Sequence, residues 1–219
     1  MTSDARSRAT PALEDRFGPL LDIAHRVRHQ GPRQRGPKVY SLHAPEVECI
    51  GKGKARAPYE FGCKVSIATP ATAPKGGQFV LHAKALHGNP YDGHTLGPVI
   101  ADLEKLTGVA ARRIHGDKGY RGHNYPDRFK VWISGQVRRV TKAIRREMRR
   151  RAAVEPVIGH LKDDHRMRRN HLKGRDGDRI NAVLAAAGYN FSLLRHWFKE
   201  LLRVLLWILC RRLSQPHLA

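Results

Sequence analysis

The sequence predicts an α/β fold in which a mixed sheet is flanked by helices. Three observations lead to this class: apolar runs of strand length fill the middle of the chain, a helical pattern lies between two of them, and longer helical patterns follow the last run. The chain has 219 residues, of which 41% are hydrophobic. This length suits one domain of moderate size, with or without extensions, and the composition is sufficient for a core.

The N-terminal part is expected to contain one helix before the sheet begins. Residues 1–11 have no apolar core and are expected to be disordered. Apolar side chains then recur at helical spacing over residues 12–29, with Leu13 and Phe17 on one side. Residues 30–38 contain two glycines and two prolines among positive charges, a composition typical of a linker.

Six runs of strand length follow, and a helix lies among them. The runs cover residues 39–42, 47–50, 59–68, 78–86, 112–116 and 129–134. A stretch rich in Pro, Gly and Thr separates the third run from the fourth, which indicates a hairpin. Residues 95–106 carry apolar side chains at helical spacing, and their place between two strands predicts a helix that crosses over the sheet.

After the last strand the chain is expected to be helical. A very basic helical stretch is predicted over residues 141–169, broken only by Pro156. A loop of glycine and charged residues then covers residues 171–178. Asp178 is a suitable N-cap for a final long helix over residues 179–213.

The charge balance of the chain is unusual and indicates a polyanionic partner. The sequence has 41 Lys and Arg against 19 Asp and Glu, a net charge of +22. Such an excess opposes folding through self-repulsion, whereas binding to nucleic acid turns it into affinity by releasing counterions. An anionic membrane surface is the second partner considered, and a basic composition without any such partner is the third explanation.

Cysteine usage and apolar runs exclude several other classes. The three cysteines, Cys49, Cys63 and Cys210, are widely spaced and form no CxxC pair, which argues against a disulfide framework and against a zinc ribbon. The N-terminus does not resemble a signal peptide. Residues 193–213 are strongly apolar, but charged residues interrupt them and leave too short a run to span a membrane. A cytoplasmic location is therefore expected.

A carboxylate at the end of a predicted strand is the first candidate for chemistry. The segment IHGDKGYRG places Asp117 directly after an apolar strand and before a glycine turn. A side chain in this position lies at the edge of a sheet, where a ligand can reach it. On its own the motif is more simply explained by a turn or cap residue. Asp92, in GNPYDGHT, is a candidate for a replacement ligand, but a turn residue after Pro90 explains it more simply.

A second carboxylate lies on the basic helical stretch. In RRRAAVEPVIGHLK, offsets of four and seven residues place Arg151, Glu155 and Lys162 on one helical face. A ladder of ion pairs on a solvated face would have the same spacing, with about 0.2–0.5 kcal/mol for each pair. Apolar neighbours and the adjacent Pro156 favour a site over such a ladder.

Taken together, the two motifs indicate a metal site that acts on nucleic acid. Asp117 and Glu155 could share Mg²⁺ or Mn²⁺, since both ions prefer carboxylate oxygens. Two such ions can hold the attacking and leaving oxygens of a phosphoryl transfer. Arg151 and Lys162 would then hold DNA phosphates. A wider phosphate-contacting face is expected from the basic residues around them, in particular Arg145, Arg146, Arg149, Arg150, Arg168 and Arg169.

These motifs resemble the DDE transposases of bacterial insertion sequences, and most of all the insertion-sequence-five family. The resemblance rests on Asp-Lys-Gly-Tyr at Asp117, on Arg-x3-Glu-x6-Lys around Glu155, and on the stretches YSLHAPEVECIGKGKA, YEFGCKVSIA, GNPYDGHTL and NAVLAAAGYNFSLL; it covers roughly residues 12–205. It implies a ribonuclease-H-like fold, two Mg²⁺ ions and binding to the element's terminal inverted repeats. It also implies that Asp117 is the second acid of the triad, Glu155 the third, Lys162 a DNA-contacting residue and Arg151 its helix partner.

Two departures from the family pattern affect what the chain is expected to do. Met148 occupies a position where the family often has Tyr. The first acid, expected on the first strand of the sheet, has no counterpart, because Asp4, Asp15 and Asp22 do not follow a strand-like run. We therefore expect a sheet without its first strand and a truncated, catalytically incomplete copy that binds DNA but does not transpose it.

The expected organisation has three parts, and one other function shares the same ancestry. Residues 1–37 form a tail, helix and basic linker, residues 38–178 the truncated catalytic domain, and residues 179–219 a helical extension. The alternative is a non-catalytic DNA-binding regulator, or a partner of a full-length transposase. Double-stranded DNA is the expected partner, and self-association is open. A membrane-surface protein would leave the Asp117 and Glu155 pattern unexplained.

Overall fold

A computed structural model describes residues 10–53 and 55–213. The disorder predicted for residues 1–11 falls outside this range as far as residue 9, while Pro11 already belongs to the first helix, α1 (Pro11–His29). The sequence explains the limits of α1, because it opens on a proline and carries Arg and His in its last turn. The helix predicted over residues 12–29 is confirmed.

The prediction of a strand at residues 39–42 is wrong. No strand is formed there, because the backbone of Val39 is bonded to a side chain and not to a neighbouring strand. The amide of Gln30 donates to the Val39 carbonyl at 2.7 Å and accepts from the Val39 N–H at 3.0 Å. The Val39 side chain is buried.

The long strand predicted over residues 59–68 is in fact two strands in two hairpins. β1 (Glu48–Gly51) pairs with β2 (Tyr59–Gly62), and β3 (Lys64–Ala68) pairs with β4 (His82–Leu86), both antiparallel. The break falls at Gly62, whose φ of 143° lies outside the range of an L-residue in a strand. The predicted hairpin between the third and fourth runs is confirmed as β3–β4, although β4 begins four residues later than expected.

The expected single mixed sheet is not formed by the described residues. β5 (Ile114–Gly116) and β6 (Val131–Ile133) make a third two-stranded sheet, this time parallel, so antiparallel and parallel pairs occur in separate sheets. The helix predicted at residues 95–106 is present as α2 (Asp92–Thr107) and ends at Gly108, which has φ 68°. It connects β4 to β5 and therefore links two sheets instead of crossing over one.

The basic helical stretch is shorter than predicted and is interrupted before Pro156. α3 (Lys142–Arg150) is followed by a 3-10 turn (Arg151–Ala153) and then by α4 (Val154–Asp163). Pro156 lies in the first turn of α4, where its missing N–H costs no hydrogen bond. Residues 164–169 are not helical, in contrast to the prediction.

The last helix, α5 (Gly174–Leu213), begins earlier than predicted. Asp178 therefore lies inside the helix and is not its N-cap. The first half of α5 packs in the core, and Asn190 fixes it to the hairpin by bonding both backbone groups of Val80, at 2.9 and 2.8 Å. Within residues 10–53 and 55–213, no helix is apolar over a sufficient length to cross a membrane.

Two hydrophobic clusters hold these elements together. The first joins the β3–β4 hairpin to α4 and α5 through Val80, Val157, Leu161, Ala185, Ala186 and Tyr189. The second joins α2 to the parallel pair through Leu96, Ile100, Ile114 and Val131. The side chain of Tyr120 packs on the second cluster, and its hydroxyl lies near Ser66 of β3. It therefore connects the two halves of the fold.

Candidate active site and nucleic-acid interface

Asp117 lies where the sequence places it, directly after β5. The strand ends at Gly116, and the Asp117 side chain caps a 3-10 turn (Lys118–Tyr120) by accepting a hydrogen bond from the Gly119 N–H at 2.8 Å. Asp117 is exposed. The expected position, a reachable carboxylate at the carboxyl end of a strand, is confirmed, and the capping bond agrees equally with the simpler turn interpretation.

A second carboxylate, that of Asp92, lies beside Asp117. A Cβ placed on Gly119 would be 2.6 Å from Asp92 Oδ2 and 3.0 Å from Asp117 Oδ1, so both carboxylates crowd the same point. Asp92 is the first residue of α2 and not a residue of a free turn. Its Oδ1 accepts a hydrogen bond from Lys64 Nζ at 3.0 Å, and this ammonium also donates to the Pro90 carbonyl at 2.7 Å. The charge of Asp92 is therefore balanced within the fold.

Tyr120 fixes the turn that carries Asp117. Its hydroxyl lies near the side chains of Ser66 on β3 and Thr95 on α2, both of which are buried. Burial raises the pKa of Tyr120, and the negative charges of Asp92 and Asp117 raise it further. The tyrosine therefore stays neutral and acts as an anchor, which holds Asp117 close to β3 and α2.

Glu155 lies in the first turn of α4 and is paired as the sequence suggested. Arg151 Nη2 is 3.5 Å from Glu155 Oε1, although Arg151 belongs to the preceding 3-10 turn and not to the same helix. The Glu155 side chain is 67% exposed, so this pair adds little stability. Lys162, seven residues later on α4, is half-buried. The expected single helical face is thus replaced by a turn followed by a helix.

Two neighbouring carboxylates in this region suit a hard divalent ion, but the third expected acid, Glu155, does not join them in one site. Asp117 and Asp92 offer carboxylate oxygens at one point, which is the donor type that Mg²⁺ and Mn²⁺ prefer. Across residues 10–53 and 55–213, however, Asp92, Asp117 and Glu155 do not form a group whose ligand atoms all lie within 4.8 Å of one another. The described residues thus suit one ion at the Asp117 turn and do not assemble a three-acid set.

The arginines of α3 face solvent because the acidic and apolar residues of the helix face inward. Ile144 is buried, and Glu147 bonds to Arg113 at 3.0 Å and to His115 Nε2 at 3.1 Å. The Thr141 side chain caps the helix. The remaining charged residues are exposed and all basic: Lys142, Arg145, Arg146, Arg149 and Arg150. This surface has the composition expected of a phosphate-binding face.

The two other predicted DNA contacts lie in the loop after α4. Arg168 and Arg169 are exposed, and Arg168 Nη2 is 3.0 Å from Asp163 Oδ1. The loop turns at Arg166, which has φ 57°. Arg168 would thus have to leave an acidic partner in order to bind phosphate, whereas α3 has its only acid directed inward.

Comparison with known families assigns the class of protein. Residues 24–191 match the family described as Transposase DDE domain, and because this match covers most of the chain, the chain belongs to that family. The family implies an enzyme of DNA transposition that transfers phosphoryl groups on DNA. No curated protein and no solved structure gives a significant match.

Sequence reasoning missed the position of Asp92 relative to Asp117. The two residues are separated by 25 positions and lie on different elements, and nothing in the GNPYDGHT motif indicates that its aspartate faces a second carboxylate. The one available signal was Gly119 in Asp-Lys-Gly-Tyr, since a glycine within a capped turn often leaves room for a neighbouring side chain.

Proposed function

We propose that this transposase is of the insertion-sequence-five type and acts at terminal inverted repeats, with Asp117 and Glu155 as acids of its active centre. The observation that carries the proposal is the Asp117 turn. It is an exposed carboxylate after a parallel strand, held by Gly119 and by the Tyr120 anchor. Such fixing suits a group that must keep its position while DNA is bound.

Asp117 and Glu155 would hold Mg²⁺ or Mn²⁺, which when bound activates the attacking oxygen and stabilises the leaving oxygen of the DNA phosphate. The protein's own residues bind and orient the DNA. Arg151 and Lys162 would hold phosphates beside Glu155. The exposed arginines of α3 would extend this contact along the duplex, on the repeats and on the target DNA, and would supply most of the affinity through charge.

The fold that belongs with this chemistry is ribonuclease-H-like, and the feature that supports it is the parallel pair β5–β6 with Asp117 directly after β5. Each of the strands β3 to β6 is paired along one of its two edges: β3 with β4, and β5 with β6. Tyr120, in the turn after β5, lies near Ser66 on β3.

We also propose that the chain alone is catalytically incomplete. Asp92 is the acid next to Asp117, but its ion pair with Lys64 makes it a poor replacement for a metal-bridging carboxylate. An assembled catalytic group that lacks one member typically loses orders of magnitude in rate. By itself the chain would therefore bind DNA without cleaving it.

The proposed domains are a tail, helix and linker over residues 1–37, a catalytic domain over residues 38–178 and a helical extension over residues 179–219. The first half of α5 packs on the β3–β4 hairpin through the buried Ala185, Ala186 and Tyr189. The second half is different, because Phe198, Leu202 and Leu205 are about half exposed. This exposed apolar surface favours the second candidate function, that of a DNA-binding regulator or partner of a full-length transposase, and it is also compatible with self-association.

Binding to DNA is the first test of the proposal. The affinity for a labelled duplex that carries the inverted repeat would be measured by fluorescence anisotropy over a range of salt concentrations. We expect log Kd to rise linearly with log salt concentration, with a slope of about 0.9 for each phosphate contact. Affinity that is absent, or that does not depend on salt, would refute the nucleic-acid function.

A further inference from the structure

A second group of metal-binding side chains lies away from the Asp117 turn. Cys63, His87 and Asp178 each offer one ligand atom, and these three atoms all lie within 4.8 Å of one another. Cys63 Sγ is 3.4 Å from His87 Nδ1, and Asp178 Oδ2 is 3.9 Å from the same nitrogen. All three residues are half-buried.

The hairpin and α5 bring these residues together from distant parts of the chain. The β3–β4 register pairs Lys64 with Leu86, so Cys63 and His87 are the next opposite positions beyond the end of the ladder. Opposite residues of an antiparallel pair have their Cβ atoms about 4.5–5.5 Å apart. Asp178 reaches the pair from the first turns of α5, the helix that Asn190 fixes to the same hairpin.

The orientation of the imidazole distinguishes a metal site from a thiol–imidazole–carboxylate catalytic triad. In a triad the carboxylate and the nucleophile bond to opposite nitrogens of the ring. Here both partners face Nδ1, while Nε2 is 3.2 Å from the Arg175 carbonyl. With its proton on Nε2, the ring donates to that carbonyl and directs the Nδ1 lone pair at the cysteine and the aspartate. Metal-ligating histidines are oriented by such outer contacts.

The aspartate is oriented in a similar way. Its Oδ1 accepts a hydrogen bond from Asn170 Nδ2 at 2.9 Å, which leaves Oδ2 directed at the histidine. Ligands about 2.0–2.3 Å from a tetrahedral zinc ion lie about 3.3–3.8 Å from one another, close to the spacings observed here. One coordination position would remain for water or another ligand.

We propose that Cys63, His87 and Asp178 form a site for a thiophilic divalent cation, Zn²⁺ or Co²⁺, which ties α5 to the β3–β4 hairpin. The sulfur ligand disfavours Mg²⁺, so this site is chemically distinct from the carboxylates at Asp117. The proposal does not depend on the chain's action on DNA. Binding replaces the proton of the Cys63 thiol, which is released to solvent as the metal–sulfur bond forms.

Charge and burial around the cluster determine what a cation has to overcome in order to bind. A chain with a net charge of +22 repels cations in general, so an ion held here must be held by local ligands. Burial, with the nearby charge of Asp178, raises the pKa of the metal-free Cys63 thiol to about 11, so a bound cation has to displace this proton. Glu48 and Arg175 are the other charged groups that act on this thiol.

The test is a Co²⁺ titration of the metal-stripped full chain in the presence of excess Mg²⁺, which occupies carboxylate sites without binding thiolate. A Cys49→Ala, Cys210→Ala background leaves Cys63 as its one cysteine. We expect one equivalent of Co²⁺ to produce a thiolate-to-cobalt charge-transfer band, and Zn²⁺ to displace it and raise the Tm. Absence of the band, or a band without a rise in Tm, would overturn the proposal.

Two variants in this background assign the band to the cluster. Cys63→Ser should abolish it. Asp178→Asn, which retains an oxygen to accept from Asn170, should weaken Co²⁺ binding by more than about 100-fold, because outer-shell partners alone contribute about 10–100-fold. Circular dichroism of the metal-free proteins would check that both variants fold. Unchanged binding in a folded Asp178→Asn variant would contradict the site.

Discussion

The carboxylates of Asp92 and Asp117 meet over Gly119, at 2.6 and 3.0 Å from the position that a Cβ would occupy there. Lys64 balances the first of these charges at 3.0 Å. The second remains exposed at the end of β5. One acid therefore supports the fold while its neighbour is available to a ligand, and the glycine between them is a structural requirement.

Replacement of Gly119 by alanine should displace both carboxylates and destabilise the protein. The added methyl group would overlap Asp92 Oδ2, and overpacking of this kind typically costs about 1–3 kcal/mol, with the lower value expected here because side-chain ends can move. The free energy of unfolding in urea would be measured. Gly159→Ala in α4 is the control, because no atom lies within 4 Å of its Cβ position. That change should be neutral or stabilising by about 0.5–1 kcal/mol, and an equal loss in both variants would disprove the crowding at Gly119.

The contact between α5 and the hairpin depends on Asn190. Asn190→Ala would leave the N–H and carbonyl of Val80 without these partners, and we expect a loss of about 1–3 kcal/mol in the free energy of unfolding. Asn181→Ala on the same helix removes one weaker bond of 3.5 Å and should cost less. Chemical denaturation of the two variants checks this order, and the reverse order would show that Asn190 is not the anchor.

Acid should destabilise the fold through its partly buried histidines. Burial lowers the pKa of His82, His115 and His123 below the ordinary value of 6.5. The negative charges of Asp102, near His82, and of Glu147, near His115, raise these pKa values and so oppose part of the shift. The unfolded chain therefore binds more protons than the folded chain below about pH 6.5, so stability is highest above this pH and falls as the pH drops toward the lowered values.

The measurement for this prediction is the Tm at pH 5.5 and pH 7.5. His115→Gln should reduce the difference between the two values, since glutamine carries no titrating group. His43→Gln, at an exposed position, is the control and should leave the difference unchanged. A Tm that is higher at pH 5.5 than at pH 7.5 would contradict the assigned direction.

The arginines of α3 should account for a measurable part of the DNA affinity. Arg145→Gln with Arg149→Gln removes two exposed charges, and we expect weaker binding to all duplex sequences and a salt slope lower by about 2. For the single variant Arg145→Gln, Arg203→Gln is the charge-matched control, because this arginine bonds to Glu200 on the far part of α5 at 2.9 and 3.0 Å. Equal effects of Arg145→Gln and Arg203→Gln on the slope would indicate only a general effect of net charge.

The sequence was informative wherever local patterns determine structure. The limits of α1, the β3–β4 hairpin and the position of Asp117 after β5 follow from proline, glycine and apolar spacing, and all were predicted. The limits of α5 were not. Asp178 looks like an N-cap, yet the helix continues past it toward the N-terminus, and its side chain faces His87 from within the helix.

Contacts between residues that are far apart in the chain could not be predicted from sequence patterns. Cys63 and Asp178 are separated by 115 positions, and the absence of paired cysteine motifs argued, among metal sites, only against a zinc ribbon. Similarly, the strand expected at residues 39–42 failed because Gln30, in the preceding linker, satisfies the Val39 backbone. In each case tertiary contacts override a local signal.

The most direct test of the central claim is Mn²⁺-dependent cleavage of a duplex that carries the element's inverted repeat. The chain would be compared with a version extended through the upstream reading frame and with Asp117→Asn in that version. Asp127→Asn is the matched control, because Asp127 caps the next 3-10 turn in the same manner. We predict binding without cleavage by the chain alone, and cleavage by the extended version that Asp117→Asn abolishes and Asp127→Asn retains. Cleavage that survives Asp117→Asn, or cleavage by the chain alone, would contradict the account.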